Sequence, residues 1–163
     1  MLIKIKKNSI LSIKNYKFKC AIGKNGFKKN KVEGDMATPI GKYQIGKLYY
    51  RPDKIKNIKT KLKKRKIKKN MGWCNDSKNI KYNQEIKISK KLSHEKLYRQ
   101  DYKYDALIEI KYNLKPTLPF KGSAIFIHLT KNYKSTAGCV TLKLNDFIIL
   151  CKIVNKNSKI LIG

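Results

Sequence analysis

One histidine and one cysteine flank a short polar loop between two apolar runs. The first run, Ala124-Ile-Phe-Ile-His128, ends on one of only two histidines in the chain. A polar stretch, Lys131 to Ala137, follows, and Gly138-Cys139 then opens the second run. If the runs form neighbouring strands, an imidazole and a thiol sit at adjacent strand ends. A thiol is a nucleophile only as the thiolate, and an imidazole within hydrogen-bond reach can hold that pair. A glycine before the cysteine frees the backbone to aim N–H groups at a developing oxyanion. A buried core cysteine and a structural histidine give the same letters, so the spacing alone leaves both readings open.

Such a pair needs a mostly β frame around it. Leu2, Ile3 and Ile5, then Ile10, Leu11 and Ile13, read as strands, with turns at Asn8-Ser9 and Asn15-Tyr16. Phe18, Cys20 and Ile22 alternate with Lys17, Lys19 and Ala21, the period of a half-buried strand. Pro39 and Gly41 forbid a helix and introduce a strand through Tyr43 and Ile45. The lysine run Lys59 to Lys69, with Leu62 and Ile67 inside it, predicts a solvated loop or short helix. Leu92, Glu95 and Arg99 permit a short helix, with Glu95 and Arg99 four apart as an ion pair. Tyr104, Ala106, Ile108 and Ile110 share one face of a strand, and a loop with two prolines follows from Leu114 to Pro119. Asn145-Asp146 predicts an N-cap for a helix carrying Phe147, Ile148, Leu150, Cys151 and Val154, and Ile160 to Ile162 predicts a last strand. There is no internal repeat.

A chain of 163 residues with 41% hydrophobic content is expected to be one domain with its own core. No run reaches membrane-spanning length, and the N-terminal residues carry no secretory signal pattern. The net charge of +30 attracts polyanions, so a basic nucleic-acid-binding module is an alternative reading. Only Arg51, Arg65 and Arg99 are arginines, however, and lysine lacks the planar fork that specific phosphate or guanine recognition prefers. Nucleic acid is therefore not the expected partner. Cys20, Cys74, Cys139 and Cys151 form no C-x-x-C pair; free thiols are expected, with Cys20 and Cys151 in the core. Trp73 beside Cys74 suggests packing. His94 has no histidine or cysteine at ligand spacing, so no metal is expected.

Thr38-Pro-Ile-Gly-Lys-Tyr43 and Ile127-His128, followed by Ser135-Thr-Ala-Gly-Cys-Val140 and Asn145-Asp146, resemble YkuD-type L,D-transpeptidases. The resemblance runs from about Cys20 to Cys151. It extends to Glu33-Gly-Asp-Met-Ala-Thr-Pro39, Gly72-Trp-Cys-Asn-Asp76, Ser93-His-Glu-Lys-Leu-Tyr-Arg99 and Ser123-Ala-Ile-Phe-Ile-His128, which look like a compact bacterial branch. It implies a single catalytic domain over residues 1–163, mostly β, a β-sandwich with one or two short helices. It implies Cys139 as nucleophile, His128 as general base and acid, and the N–H groups of Gly138 and Cys139 at the oxyanion. Thr38, Tyr43, Trp73, His94, Arg99 and Thr136 are the residues expected at the substrate cleft. The implied reaction moves an acyl group from a peptidoglycan stem peptide, through a Cys thioester, to an amine, or to water in an L,D-carboxypeptidase. No cofactor is implied, and a monomer is expected. The family works in the cell envelope, whereas the absence of a signal pattern would suit the cytoplasm. The sequence departs from the family at Ala137, commonly His, and at Thr141, commonly Arg or Asn, and its His–Cys loop is short.

Overall fold

The computed structural model describes all residues, 1–163. The strands in chain order are β1 (Leu2–Lys6), β2 (Ile10–Ile13), β3 (Tyr16–Lys19), β4 (Phe27–Lys28), β5 (Thr38–Pro39), β6 (Gly41–Tyr50) and β7 (Lys64–Lys66). They continue with β8 (Met71–Cys74), β9 (Glu85–Lys87), β10 (His94–Lys96), β11 (Ala106–Ile110), β12 (Phe126–Leu129), β13 (Val140–Leu142) and β14 (Lys159–Ile162). One helix, α1 (Leu144–Ile153), precedes the last strand, and Tyr102–Tyr104 form a single 3-10 turn. The fold is mostly β, as the sequence predicts.

Period-two patterning explains the main sheet. In β1, Ile3 and Ile5 are buried while Lys4 and Lys6 face water. The same alternation recurs at Leu11 and Ile13 in β2 and at Ile160 and Ile162 in β14. The nine-stranded sheet runs β13-β12-β11-β6-β14-β1-β2-β3, with β7 added beside β6. Its ends meet: Ala21, just past β3, exchanges backbone hydrogen bonds with Thr141 in β13 at 3.2 and 2.9 Å. This closure gathers 24 buried apolar residues into one core, including Cys20, and α1 contributes Phe147, Leu150 and Cys151 to it. Fully burying an isoleucine or leucine there contributes about 1.5–3 kcal/mol.

The second face carries the site. β11 and β12 are buried on both sides, so Leu107, Phe126 and His128 point away from the main core. A three-stranded sheet, β10-β8-β9, covers that face, and Trp73, Tyr49, Leu107 and Phe126 pack between the two sheets as a smaller core.

Three local expectations change. Residues 92–99 are not a helix: β10 pairs with β8, Glu95 lies opposite Trp73, and Arg99 pairs with Asp101 at 2.6 Å instead of Glu95. Pairing with a distant strand overrides a weak helical spacing. The lysine run contributes β7, parallel to β6, with Leu62 and Ile67 buried beside it. Helix α1 begins earlier than expected, with its N-cap at Lys143, two residues before Asn145, and no side-chain cap bond, so Asp146 sits inside the first turn. There its charge still complements the helix N-terminus.

Candidate active site

The two residues singled out by spacing come together. β12 and β13 are parallel neighbours, with Ile127 opposite Val140 and His128 opposite Thr141. Alternation then sends Phe126 and His128 to the smaller core's side, and Cys139, one residue before β13, lies level with Phe126. His128 and Cys139 both open on a cleft of about 740 Å³. Its walls come from the loop between β4 and β5 (Lys31, Glu33), from β10 and the turn after it (His94, Glu95, Arg99, Tyr104), and from the His–Cys loop (Ser135, Thr136).

Burial favours the neutral form of both groups. The Cys139 thiol is 8% exposed; it donates to the Ala124 carbonyl at 3.2 Å and accepts the Phe126 N–H at 3.4 Å. Burial, reinforced by the Glu95 carboxylate, pushes it up to about 12. His128 is 6% exposed, and burial lowers it to about 4, with Lys103 and Arg99 further disfavouring the cation. Its Nδ1 lies 3.1 Å from the Leu129 carbonyl. A carbonyl only accepts, so Nδ1 carries the proton and Nε2 keeps its lone pair. The ring stands edge-on to Tyr104, 5.2 Å between centroids. Desolvation thus disfavours both the thiolate and the imidazolium in this arrangement, and each group has a backbone partner of its own.

The corner before Cys139 is braced from two sides. Thr136 Oγ1 donates to the Cys139 carbonyl at 2.6 Å and accepts the Gly138 N–H at 3.0 Å. The Gly138 N–H, expected at the oxyanion, is thus already bonded, whereas the Cys139 N–H has no protein acceptor. Thr38 Oγ1 donates to the Gly138 carbonyl at 2.9 Å and accepts the Gly23 N–H at 2.8 Å. Gly138 has φ +138°, and a Cβ there would stand 2.8 Å from the Ala37 carbonyl oxygen, so no other residue fits without displacement.

Of the other expected cleft residues, the structure places His94, Arg99 and Thr136 in the wall. It does not place Thr38, Tyr43 or Trp73 there. Thr38 is fully buried behind Gly138. Tyr43 donates to the Ile40 carbonyl at 2.6 Å, packs edge-on against Tyr112, and borders a separate cavity of about 420 Å³. Trp73 is 3% exposed and lies under Phe126, 5.0 Å between centroids, with its indole N–H donated to Asn83 at 2.9 Å. Sequence pattern fixes that these residues are inward, but not which cavity they meet.

Sequence reasoning missed several cleft residues, Lys31 among them. Tyr104 donates to Glu95 at 2.5 Å, and burial raises the Glu95 carboxyl. Glu33 accepts from Ser123 at 2.7 Å and from the Tyr82 hydroxyl. Thr141 Oγ1 is buried without any hydrogen-bond partner, level with His128. The one available signal was rarity: with 10 acids in the whole chain, an acid inside an apolar pattern invites notice. No group of three or more His, Cys, Asp or Glu is arranged to hold a metal ion.

A family model described as YkuD: L,D-transpeptidase catalytic domain matches residues 4–162. Among solved structures, the chain is similar to the helical cell shape determining protein Pgp2 from Campylobacter jejuni. The identity is 15% and the TM-score 0.50, over 99% of this chain and 46% of that one. A point mutant of the same protein gives 16% and 0.51 over the same shares. An L,D-transpeptidase from Mycobacterium smegmatis gives 11% and 0.43, over 99% of this chain and 58% of that one. At such identities the likeness to Pgp2 is one of fold, and the chain spans about half of Pgp2's length. No curated protein matches the chain.

Proposed function

Because the chain belongs to the YkuD family of L,D-transpeptidase catalytic domains, we propose that residues 1–163 form one acyl-transfer domain. It acts on peptidoglycan stem peptides through a thioester on Cys139, with His128 as general base and acid, and as a monomer. The observation that supports this most directly is the shared cleft: imidazole and thiol open into it from adjacent parallel strands.

Nε2 of His128 is the free acceptor, and burial keeps it unprotonated at neutral pH. Substrate entry turns the thiol away from the Ala124 carbonyl, and Nε2 takes its proton. The sulfur then attacks the carbonyl at the L-centre of the diamino-acid residue, and the C=O electron pair moves onto oxygen. The unbonded Cys139 N–H donates to that oxyanion. Collapse restores the carbonyl and breaks the C–N bond, while the proton on His128 goes to the departing D-amino acid. An amine or water then attacks the thioester, with His128 again as base, and releases the thiol. Lys103 in the cleft wall gives stem-peptide carboxylates a cationic partner.

Intact-protein mass after incubation with a carbapenem tests the assignment, comparing wild type with Cys139→Ala. A single adduct in the wild type alone is the expected result; equal labelling of both proteins would refute the nucleophile. Mass analysis of products from a stem tetrapeptide, with and without an added amine, then tells transfer from hydrolysis.

A further inference from the structure

Lys31 is the one lysine whose side chain is buried, at 3% exposure in a chain whose other lysines reach solvent. Its route is built. A Cβ on Gly122 (φ +97°) would stand 2.7 Å from Lys31 Cε, 3.1 Å from Cδ and 3.2 Å from Cγ. The stem therefore crosses where a side chain at residue 122 would have to be. At its far end, Nζ lies 3.5 Å from the position a Cβ on Gly138 would take. Gly122 thus clears the path of this lysine, and its ammonium ends at contact distance from Gly138, the residue before Cys139. Asp35 Oδ1 holds Nζ at 2.6 Å. Asp35 is itself shared among the Val32 N–H at 2.9 Å, the Ala37 N–H at 3.1 Å and Lys28 at 3.4 Å, so it offsets the ammonium only in part. Lys31 lines the same cleft as Cys139.

The corner beside it is short of electrophiles. The Gly138 N–H is bonded to Thr136, leaving the Cys139 N–H as the unbonded donor there. We infer that Lys31 is a further catalytic residue, whose ammonium stabilises the negative charge that develops on Cys139 sulfur and then on the substrate oxyanion. The inference rests on Cys139 being the nucleophile. An ammonium that is buried at its root and fixed by Asp35 acts there without reorganising, the condition under which such stabilisation is largest. The other charged and titratable groups of the cleft include Glu33 beside Lys31, His94, Glu95, Arg99, Lys103 and Tyr104 from β10 and the turns after it, His128 from β12, and Lys134 from the His–Cys loop. Glu95 opposes the thiolate and Lys31 favours it, so the two carry opposite signs at the same sulfur.

The test uses the full chain and two readouts. The first is the single-turnover rate of Cys139 acylation by a carbapenem. The second is the pH profile of iodoacetamide alkylation, mapped by mass to the Cys139 peptide, which needs no transpeptidase substrate. Lys31→Met keeps the stem and removes the charge. It is expected to slow acylation about 100-fold or more, as a lost oxyanion contact does, and to move the alkylation midpoint upward. Lys31→Arg is expected to recover most of the rate. Asp35→Asn leaves the lysine less compensated and is expected to move the midpoint downward. A merely structural ion pair would not give shifts of opposite sign. A folded Lys31→Met with unchanged rate and midpoint overturns the inference. If Lys31→Met does not fold, an unchanged or raised midpoint in Asp35→Asn overturns it. Failure of the wider reading is distinct: the wild type would then form no carbapenem adduct at Cys139, whatever the alkylation profiles show.

Discussion

Acid should remove a stabilisation that His128 carries because it is buried neutral. Burial lowers this imidazole from 6.5 to about 4. Between those two values the unfolded chain binds a proton that the folded chain refuses, so stability falls as pH falls through that window and levels off below it. The full contribution is present above about pH 6.5. At 1.36 kcal/mol per unit, about 2 kcal/mol is gone by about pH 5 and about 3 kcal/mol by about pH 4. A typical domain has about 5–15 kcal/mol in total, so the loss is large enough to measure. Glu95, raised by burial, acts in the opposite sense, and the Arg99 and Lys103 charges persist throughout; the comparison therefore needs a variant that differs at His128 alone. Urea unfolding can be followed by the fluorescence of Trp73, the only tryptophan, which is buried against Phe126. It should be run on wild type and His128→Gln at about pH 7, 5 and 4. The wild type is expected to lose about 2–3 kcal/mol more than the variant across that range. Parallel loss in both proteins would mean that His128 titrates as an exposed imidazole does, and the neutral-pair geometry would be wrong.

The same shift has a kinetic counterpart: the acidic limb of kcat/KM on a stem peptide should fall near pH 4 rather than 6.5, because the base stays unprotonated down to there. Thr38→Val keeps the buried shape but strands the Gly23 N–H and removes a donor to Gly138, so it should cost about 2–3 kcal/mol in urea unfolding, with Thr38→Ser recovering most of it. Asn83 accepts the Trp73 indole and the Ala124 N–H and donates to the carbonyls of Tyr112 and Asn113; Asn83→Ala should therefore cost about 3–5 kcal/mol by the same measurement and blunt acylation by releasing Ala124. Thr136→Val should lower the acylation rate about tenfold while leaving the thermal midpoint nearly unchanged, since it frees the Gly138–Cys139 corner without opening the core.

How far the sequence carries depends on whether a feature is local. β1, β2 and β14 are legible because isoleucine inward and lysine outward is a two-residue rhythm that needs no partner to be read. β10 is not, because three residues with no alternation become a strand only through the register of His94, Glu95 and Lys96 against Cys74, Trp73 and Gly72. The His128–Cys139 pair is legible for the same reason as β1: one loop joins its members, and parallel pairing puts both on one face. Lys31, Glu33, Glu95 and Tyr104 reach the cleft from three separate segments, and nothing within any one segment announces the meeting. Thr38 illustrates a middle case. Its segment carries the family resemblance, yet its hydroxyl is spent on the Gly138 carbonyl behind the cleft. A short motif fixes that a residue matters without fixing which surface it serves.

The charge of +30 looks different once its partners are placed. All three arginines hold carboxylates within the fold: Arg51 grips both oxygens of Asp53, Arg99 both oxygens of Asp101, and Arg65 directs two donors to Glu85. The forks that would read phosphates or guanines are therefore engaged internally. Among the lysines only Lys28 and Lys31 enter ion pairs, both with Asp35; the others leave the excess charge facing solvent. Such a field draws in anionic polymers over about one Debye length, roughly 8–10 Å, and weakens with salt. The cleft is a different environment. Glu33 and Glu95 share its walls with Arg99, Lys103 and Lys134, so it presents both signs within a few side chains. A continuous phosphate backbone pressed into it would meet two carboxylates. A peptide that carries both an amine and carboxylates would meet a partner for each. Under the proposed function, long-range attraction and short-range selection fall to different groups, and the selective ones are those that share the cleft with Cys139.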